Sequence, residues 1–197
     1  MGDVSAAWVV IDGWLARHAP SAARAQRGPA TGVQIAALEK AVGLEVPAGF
    51  ADSAQHHDGQ DHGSTDFFGL RLLSLAEIAT TRQMLVETAA DDLGDDADDD
   101  WWWHAQWLPF AELDDDLLVL DCRPGPGYGR VGWRSKDDTA DFAEGWPDFA
   151  AYLTEIAAAF AAGKNSDGEV PCFDADGALC WSYPDLDEEF TAIIVTG

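Results

Sequence analysis

Basic residues are scarce in this chain. Eleven lysines and arginines stand against 36 aspartates and glutamates in 197 residues, for a formal net charge of −25. A surface of that sign repels nucleic acid and anionic lipid over about a Debye length, roughly 8 Å at physiological salt. Binding to nucleic acid or to a membrane surface is therefore not expected. Basic proteins and divalent cations are attracted instead. Cysteines number only three, Cys122, Cys172 and Cys180, with no C-x-x-C pair. Neither a zinc ribbon nor a disulfide scaffold is indicated. No run approaches the ~18 apolar residues of a membrane-spanning helix. The opening MGDVSAAWVVIDGW lacks the basic stretch and apolar run of a secretory signal, and Ala6 breaks the M-G-x-x-x-[ST] myristoylation pattern. A reducing cytoplasm is the expected location.

What is plentiful is apolar and aromatic surface. Apolar residues make up 47%, with nine tryptophans and nine phenylalanines, enough to bury a core at this length despite the charge. One domain of ordinary size is expected. Val4, Trp8, Ile11 and Leu15 recur at helical spacing behind a capping Asp3, and Pro20 closes the segment. Residues 19–30 read as a connector. A second helix is predicted from about Thr31 to Val42, stopped by Gly43, and a short one after Pro47, ending at Asp58-Gly59. FFGLRLL (67–73) reads as a strand. Ser74 and Glu77 form a capping box for a helix with Leu75, Ile78, Leu85 and Ala89 on one face and Arg82 folding over its edge.

Seven aspartates in the ten residues 91–100 read as a solvated loop. WWWHAQWLPF, ELDDDLLVLDC and RVGWRS read as strands, with PGPGYG as a turn. Trp146-Pro147 open a last long helix, with Phe149, Leu153, Ile156 and Phe160 inward and Gly163 at its end. VPCFDADGALCWSY reads as a hairpin around D-A-D-G, and FTAIIVT as an edge strand.

The order of these pieces carries a resemblance. Leu38-Glu39, Gly43 and Pro47 are followed by the turn His57-Asp58-Gly59-Gln60 and the step Leu72-Leu73-Ser74 to Glu77-Ile78. Then come Trp107, Pro109 and Phe110, and after them Asp116, Leu118, Leu120, Asp121, Pro124, Gly125, Gly129 and Val131. Together, over roughly residues 5–163, they resemble the SUKH superfamily, named in part for fungal cell-wall-assembly regulators of Smi/Knr type. The resemblance implies an α+β fold with helices packed on a mostly antiparallel twisted sheet in a single domain. That domain would span residues 1–163, with 164–197 as a C-terminal hairpin extension. It also implies no catalysis. Many bacterial members are immunity proteins that neutralise a cognate toxin, and fungal relatives act through protein contacts in cell-wall synthesis and signalling. Asp114 and Asp115 stand where the family usually has glycine or small residues.

Three stretches compete for a functional role. AQHHDGQDHG (54–63) holds three histidines and two aspartates. A metal site of His56, His57, Asp58 and His62 needs convergence on one point, but neighbours on a helix diverge by about 100° and Gly59 ends the helix. A helix C-terminus followed by an Asp-Gly turn is the simpler reading. Neither metal nor cofactor is expected. The aspartate run lacks the spacing of a calcium loop. Cys122 with His104 has no third orienting group, so a buried structural thiol is expected and no catalytic residue is assigned. WWWHAQW remains. On a strand Trp101 and Trp103 would face one side and Trp102 the other. Indoles beside aspartates suit a mixed aromatic–acidic contact patch. The expected partner-binding residues are Asp95, Asp96, Asp98, Asp99, Asp100, Trp101, Trp102, Trp103, Glu112, Asp114 and Asp115. The expected partner is a protein, a basic toxin domain in the first reading, and the alternative is an intracellular regulatory adaptor.

Overall fold

A computed structural model describes residues 3–62, 67–93, 102–183 and 191–193. Four helices come first: α1 (Val4–His18), α2 (Pro20–Ala25), α3 (Gly32–Val42) and α4 (Ala48–Ala54). The two-residue strand β1 (Arg71–Leu72) and the long helix α5 (Leu75–Leu93) follow. Next are β2 (Trp107–Leu113), β3 (Asp116–Asp121), β4 (Val131–Arg134) and β5 (Ala140–Trp146), then α6 (Phe149–Ala162). The chain closes with β6 (Val170–Phe173), β7 (Leu179–Ser182) and β8 (Thr191–Ala192). Strands β1 to β5 form one antiparallel sheet in sequence order, and β7-β6-β8 form a second. This is the α+β arrangement that the order of motifs implies.

Local chemistry explains the helix boundaries. Asp3 accepts from Ala6 N–H at the start of α1, and Thr31 and Gln34 form a reciprocal capping box on α3. Asp148 caps α6. Gly43 and Gly163 end α3 and α6 in the left-handed region.

The main core lies between the helices and one face of the first sheet. Trp8, Ile11 and Leu15 of α1, and Leu153, Ile156 and Phe160 of α6, pack with Leu108, Phe110, Leu118 and Leu120. Trp8 buries its indole and donates from Nε1 to Ser53 Oγ at 2.9 Å. The opposite face carries a second cluster of Leu85 and Ala89 from α5 with Trp103, Trp107, Leu117 and Val119. Successive residues of β3 thus serve opposite clusters, so the strand is continuously apolar rather than alternating.

Several expectations change. Residues 20–25 are helix rather than connector, because Pro20, pre-set at helical φ, opens α2 instead of only closing α1. The helix after Pro47 stops at Ala54, short of Asp58. Only Arg71–Leu72 of 67–73 is strand. Phe68 (φ 56°) and Gly69 (φ 81°) turn the chain back, so that Phe67 bridges Leu70. Residues 91–93 belong to α5, while 94–100 lie outside the described residues. Residues 102–106 of WWWHAQW are irregular rather than strand, β2 begins at Trp107, and Trp101 lies outside the described residues. Cys122 lies one residue past β3. Trp146 ends β5 rather than opening a helix. Its segment escaped notice because half of it faces solvent and it carries no apolar run.

Candidate functional site

Residues 54–62 of AQHHDGQDHG form a junction, and Gly63 lies outside the described residues. The junction's backbone pairs with two segments: Asp58 N–H donates to Gly28 O and Asp61 N–H to Ala25 O on one side, and Gln60 N–H to Leu72 O on the other. Arg27 N–H donates to Gly59 O at 3.0 Å. Asp58 Oδ1 accepts from Leu75 N–H at 2.7 Å, holding the first turn of α5, and buried Gln60 accepts from Leu72 N–H through Oε1. Gly59 has φ +74°, and a Cβ there would stand 2.5 Å from Ser74 N, so only glycine allows this approach. The histidines diverge. His56 Nε2 meets Ser5 Oγ at 3.0 Å, His57 bridges Asp12 Oδ1 and Arg27 O, and exposed His62 lies 3.4 Å from Glu77. Burial alone would lower the His57 pKa, but the bonds to Asp12 and Arg27 outweigh it and raise it. Among the described residues no three His, Cys, Asp or Glu side chains gather around one point.

The aromatic and acidic residues do converge. A groove of about 440 Å³ runs between α5 and the β2–β3 turn. Trp102, Glu112, Asp114 and Asp115 line it, with Met84 of α5 and Arg134 of β4. The two-residue turn Asp114-Asp115 joins β2 to β3, and Asp114 sits at φ 52°, a conformation aspartate tolerates better than most residues. This is why aspartate can replace the small residues expected there. Trp102 donates from Nε1 to Lys136 O at 3.1 Å, and its ring stacks 4.5 Å from the Arg134 guanidinium.

Arg134 is itself only 3% exposed. It donates to Asp115 O and Lys136 O, yet its Nε has no hydrogen-bond partner. Burial lowers its pKa, and the carboxylates of Asp116, Asp137 and Asp115 oppose that shift.

The carboxylates of the groove are not equivalent. Glu112 is committed inward, accepting from Arg71 Nη2 at 2.6 Å, while Arg71 also pairs with Glu77 at 2.9 Å. Asp114 and Asp115 face solvent, and Lys136 Nζ lies 3.9 Å from Asp115. Trp103 is 2% exposed and packs edge-on against Trp107 at 5.7 Å, so as placed it supports the groove from beneath and offers no surface. Asp95, Asp96, Asp98, Asp99, Asp100 and Trp101 lie outside the described residues. Sequence reading missed Met84 and Arg134. Met84 stands opposite the inner stripe of α5, and nothing in the local pattern marks Arg134 as buried.

The family model for SMI1 / KNR4 (SUKH-1) matches residues 29–155. The chain belongs to this family. No curated protein matches it. The SMI1 / KNR4 match runs from the approach to α3 into α6, so it contains the junction, the five-stranded sheet and the groove, while β6 to β8 fall outside it. Membership in SMI1 / KNR4 supports a non-catalytic module and associates the chain with protein–protein interaction. Cys122 is buried in the main core, away from the groove-side cluster. Burial and the neighbouring Asp121 carboxylate push the Cys122 pKa up to about 12, leaving it protonated at neutral pH. The His104 Nδ1 accepts from the Gln106 N–H of its own turn. No helix of the described residues is long and apolar enough to cross a membrane.

Proposed function

We propose that this chain is a non-enzymatic binding module of immunity type, which neutralises a cognate basic toxin domain in the cytoplasm by covering its active site. One observation carries the reading: half-buried Trp102 and the exposed carboxylates of Asp114 and Asp115 share one groove, on a chain of net charge −25. The indole would fill a pocket on the partner as the desolvated anchor, and the two carboxylates would pair with lysines or arginines around it. Asp95, Asp96, Asp98, Asp99, Asp100 and Trp101 enter through their place in the sequence, immediately before Trp102. Glu112 contributes by orienting the turn through Arg71 rather than by direct pairing. Long-range attraction would raise association to about 10⁸ M⁻¹s⁻¹ at low salt.

The test is association kinetics with a basic toxin domain encoded beside this gene, measured across a salt series. Association should slow steeply with salt, and Trp102→Ala should weaken binding by roughly 30-fold or more, mostly through faster dissociation. A flat salt response together with unchanged affinity in Trp102→Ala would overturn the proposal. Recovery of a signalling or envelope-synthesis enzyme as the partner would favour the regulatory role instead.

A further inference from the structure

The C-terminal hairpin holds a pair of thiols that neither the family match nor the proposed function uses. Cys172 of β6 and Cys180 of β7 are register partners in the antiparallel ladder. Opposed residues in such a ladder have Cα atoms about 4.5–5.5 Å apart and side chains on one face. That separation lies inside the range of about 4.4–6.8 Å that a disulfide accepts. The sulfurs are already 2.9 Å apart, and both cysteines are free. A covalent bond of about 2.05 Å therefore needs the sulfurs to close by less than about 1 Å. The turn between them is well anchored: Asp174 N–H donates to Ala178 O, Asp174 Oδ1 accepts from Asp176 and Ala178, and Gly177 takes φ 80°.

We propose that Cys172 and Cys180 are an oxidation site, closing to a cross-strand disulfide when the protein meets a low-molecular-weight disulfide. Cys180 is the partly exposed member and Cys172 the buried one, so the exchange begins at Cys180. Its sulfur, after losing a proton to water, attacks one sulfur of the small disulfide and expels one thiolate. The Cys172 sulfur, after losing its own proton, attacks Cys180 Sγ in the resulting mixed disulfide and expels the second. Two protein thiols and one small disulfide become one protein disulfide and two small thiols, and the two electrons end on the small molecule. Burial holds both thiols above their ordinary pKa, and the Asp174 carboxylate adds to this, so the first step is slow near neutrality. Closure staples the strand that carries Trp181, whose ring packs against Phe68 at 5.1 Å and Phe160 of α6 at 5.2 Å. The staple therefore bears on the main core and not only on the hairpin.

The full chain, incubated with oxidised glutathione and then denatured and alkylated, should lose about 2 Da and retain one reactive thiol, on Cys122. Cleavage at the aspartates between the two cysteines should release fragments joined only before reduction. Thermal unfolding of the oxidised form should rise by roughly 5 °C over the reduced form. Cys172→Ser should stop at a single glutathione adduct on Cys180. Three free thiols at equilibrium, a stable glutathione adduct on the unmutated chain without closure, or bonds joining two chains through Cys122 would each overturn the assignment.

Discussion

The two faces of the five-stranded sheet are buried by different means. One face is covered by α1 and α6, whose apolar stripes meet Leu108, Phe110, Leu118 and Leu120, and the buried Trp8 indole there finds an acceptor in Ser53. The other face is covered by one half of a single helix and an irregular aromatic segment. There Trp103 Nε1, Trp107 Nε1 and Arg134 Nε have no hydrogen-bond partner, and on the first face Trp14 Nε1 and the Tyr152 hydroxyl have none either. The guanidinium of Arg123 stacks 5.6 Å from Trp107, and that of Arg134 stacks 4.5 Å from Trp102. The first face is built for stability. The second differs in stacking arginine guanidinium groups on its indoles, and a cation costs free energy when buried without a full set of partners. What a partner can reach on this side is half-buried Trp102 with the exposed carboxylates of Asp114 and Asp115, which is why the groove here is the better candidate for contact.

Substitutions can break this contrast. Phe110→Ala, on the helical face, should cost about 3–5 kcal/mol, read as a lower urea midpoint at unchanged slope. A cost below about 1 kcal/mol would show that face to be loosely packed. Arg134→Met keeps the aliphatic volume beneath Trp102 and removes the buried cation, so stability should change by less than about 1 kcal/mol in the same measurement. A large loss would mean that Arg134 is a structural keystone and not a strained element of a binding surface.

The junction offers a third contrast, since it joins the helical face to α5. The folded-state pKa of His57 is raised, so its charged form is favoured by folding. Stability from this residue is fully present below its unfolded value, about 6.5, and is lost as pH climbs through the higher folded value. Denaturation midpoints from pH 6 upward should fall for the unsubstituted chain and stay flatter for His57→Gln. The smallest effect is expected from Asp114→Asn, because asparagine also accepts the left-handed backbone at that turn. Stability should stay within about 0.5 kcal/mol, while association with a basic partner slows. Loss of stability without loss of association would remove Asp114 from the contact surface.

Much of this was legible along the chain. Capping residues announced α1 and α5, and the periodic stripe and terminal glycine announced α3 and α6. The β3–β4 pair and the C-terminal hairpin were likewise visible as apolar runs around turns, whereas ELDDDLLVLDC, read as strand, holds the Asp114-Asp115 turn between β2 and β3. β5 was not, because an edge strand with residues such as Asp141 and Glu144 along it looks like a loop. The tryptophan run was misassigned to a strand because alternation counts residues and ignores what surrounds them. Trp103 turned out to be core, while Trp102 borders the groove. Of the carboxylates, sequence reading had no means to separate Glu112, held by Arg71, from Asp115, which faces solvent.

The amino-acid order alone determined the sign of the surface and the ends of several helices, because charge counts, capping and periodicity act over a few neighbouring residues, and the order of its motifs resembled the family that implies the α+β class. Only the tertiary structure decided that the histidine stretch is a junction, that Trp102 meets Asp114 and Asp115 across a groove, and that two cysteines eight positions apart face each other. Those outcomes depend on which distant segments the packed core brings into contact, and no local pattern encodes that choice.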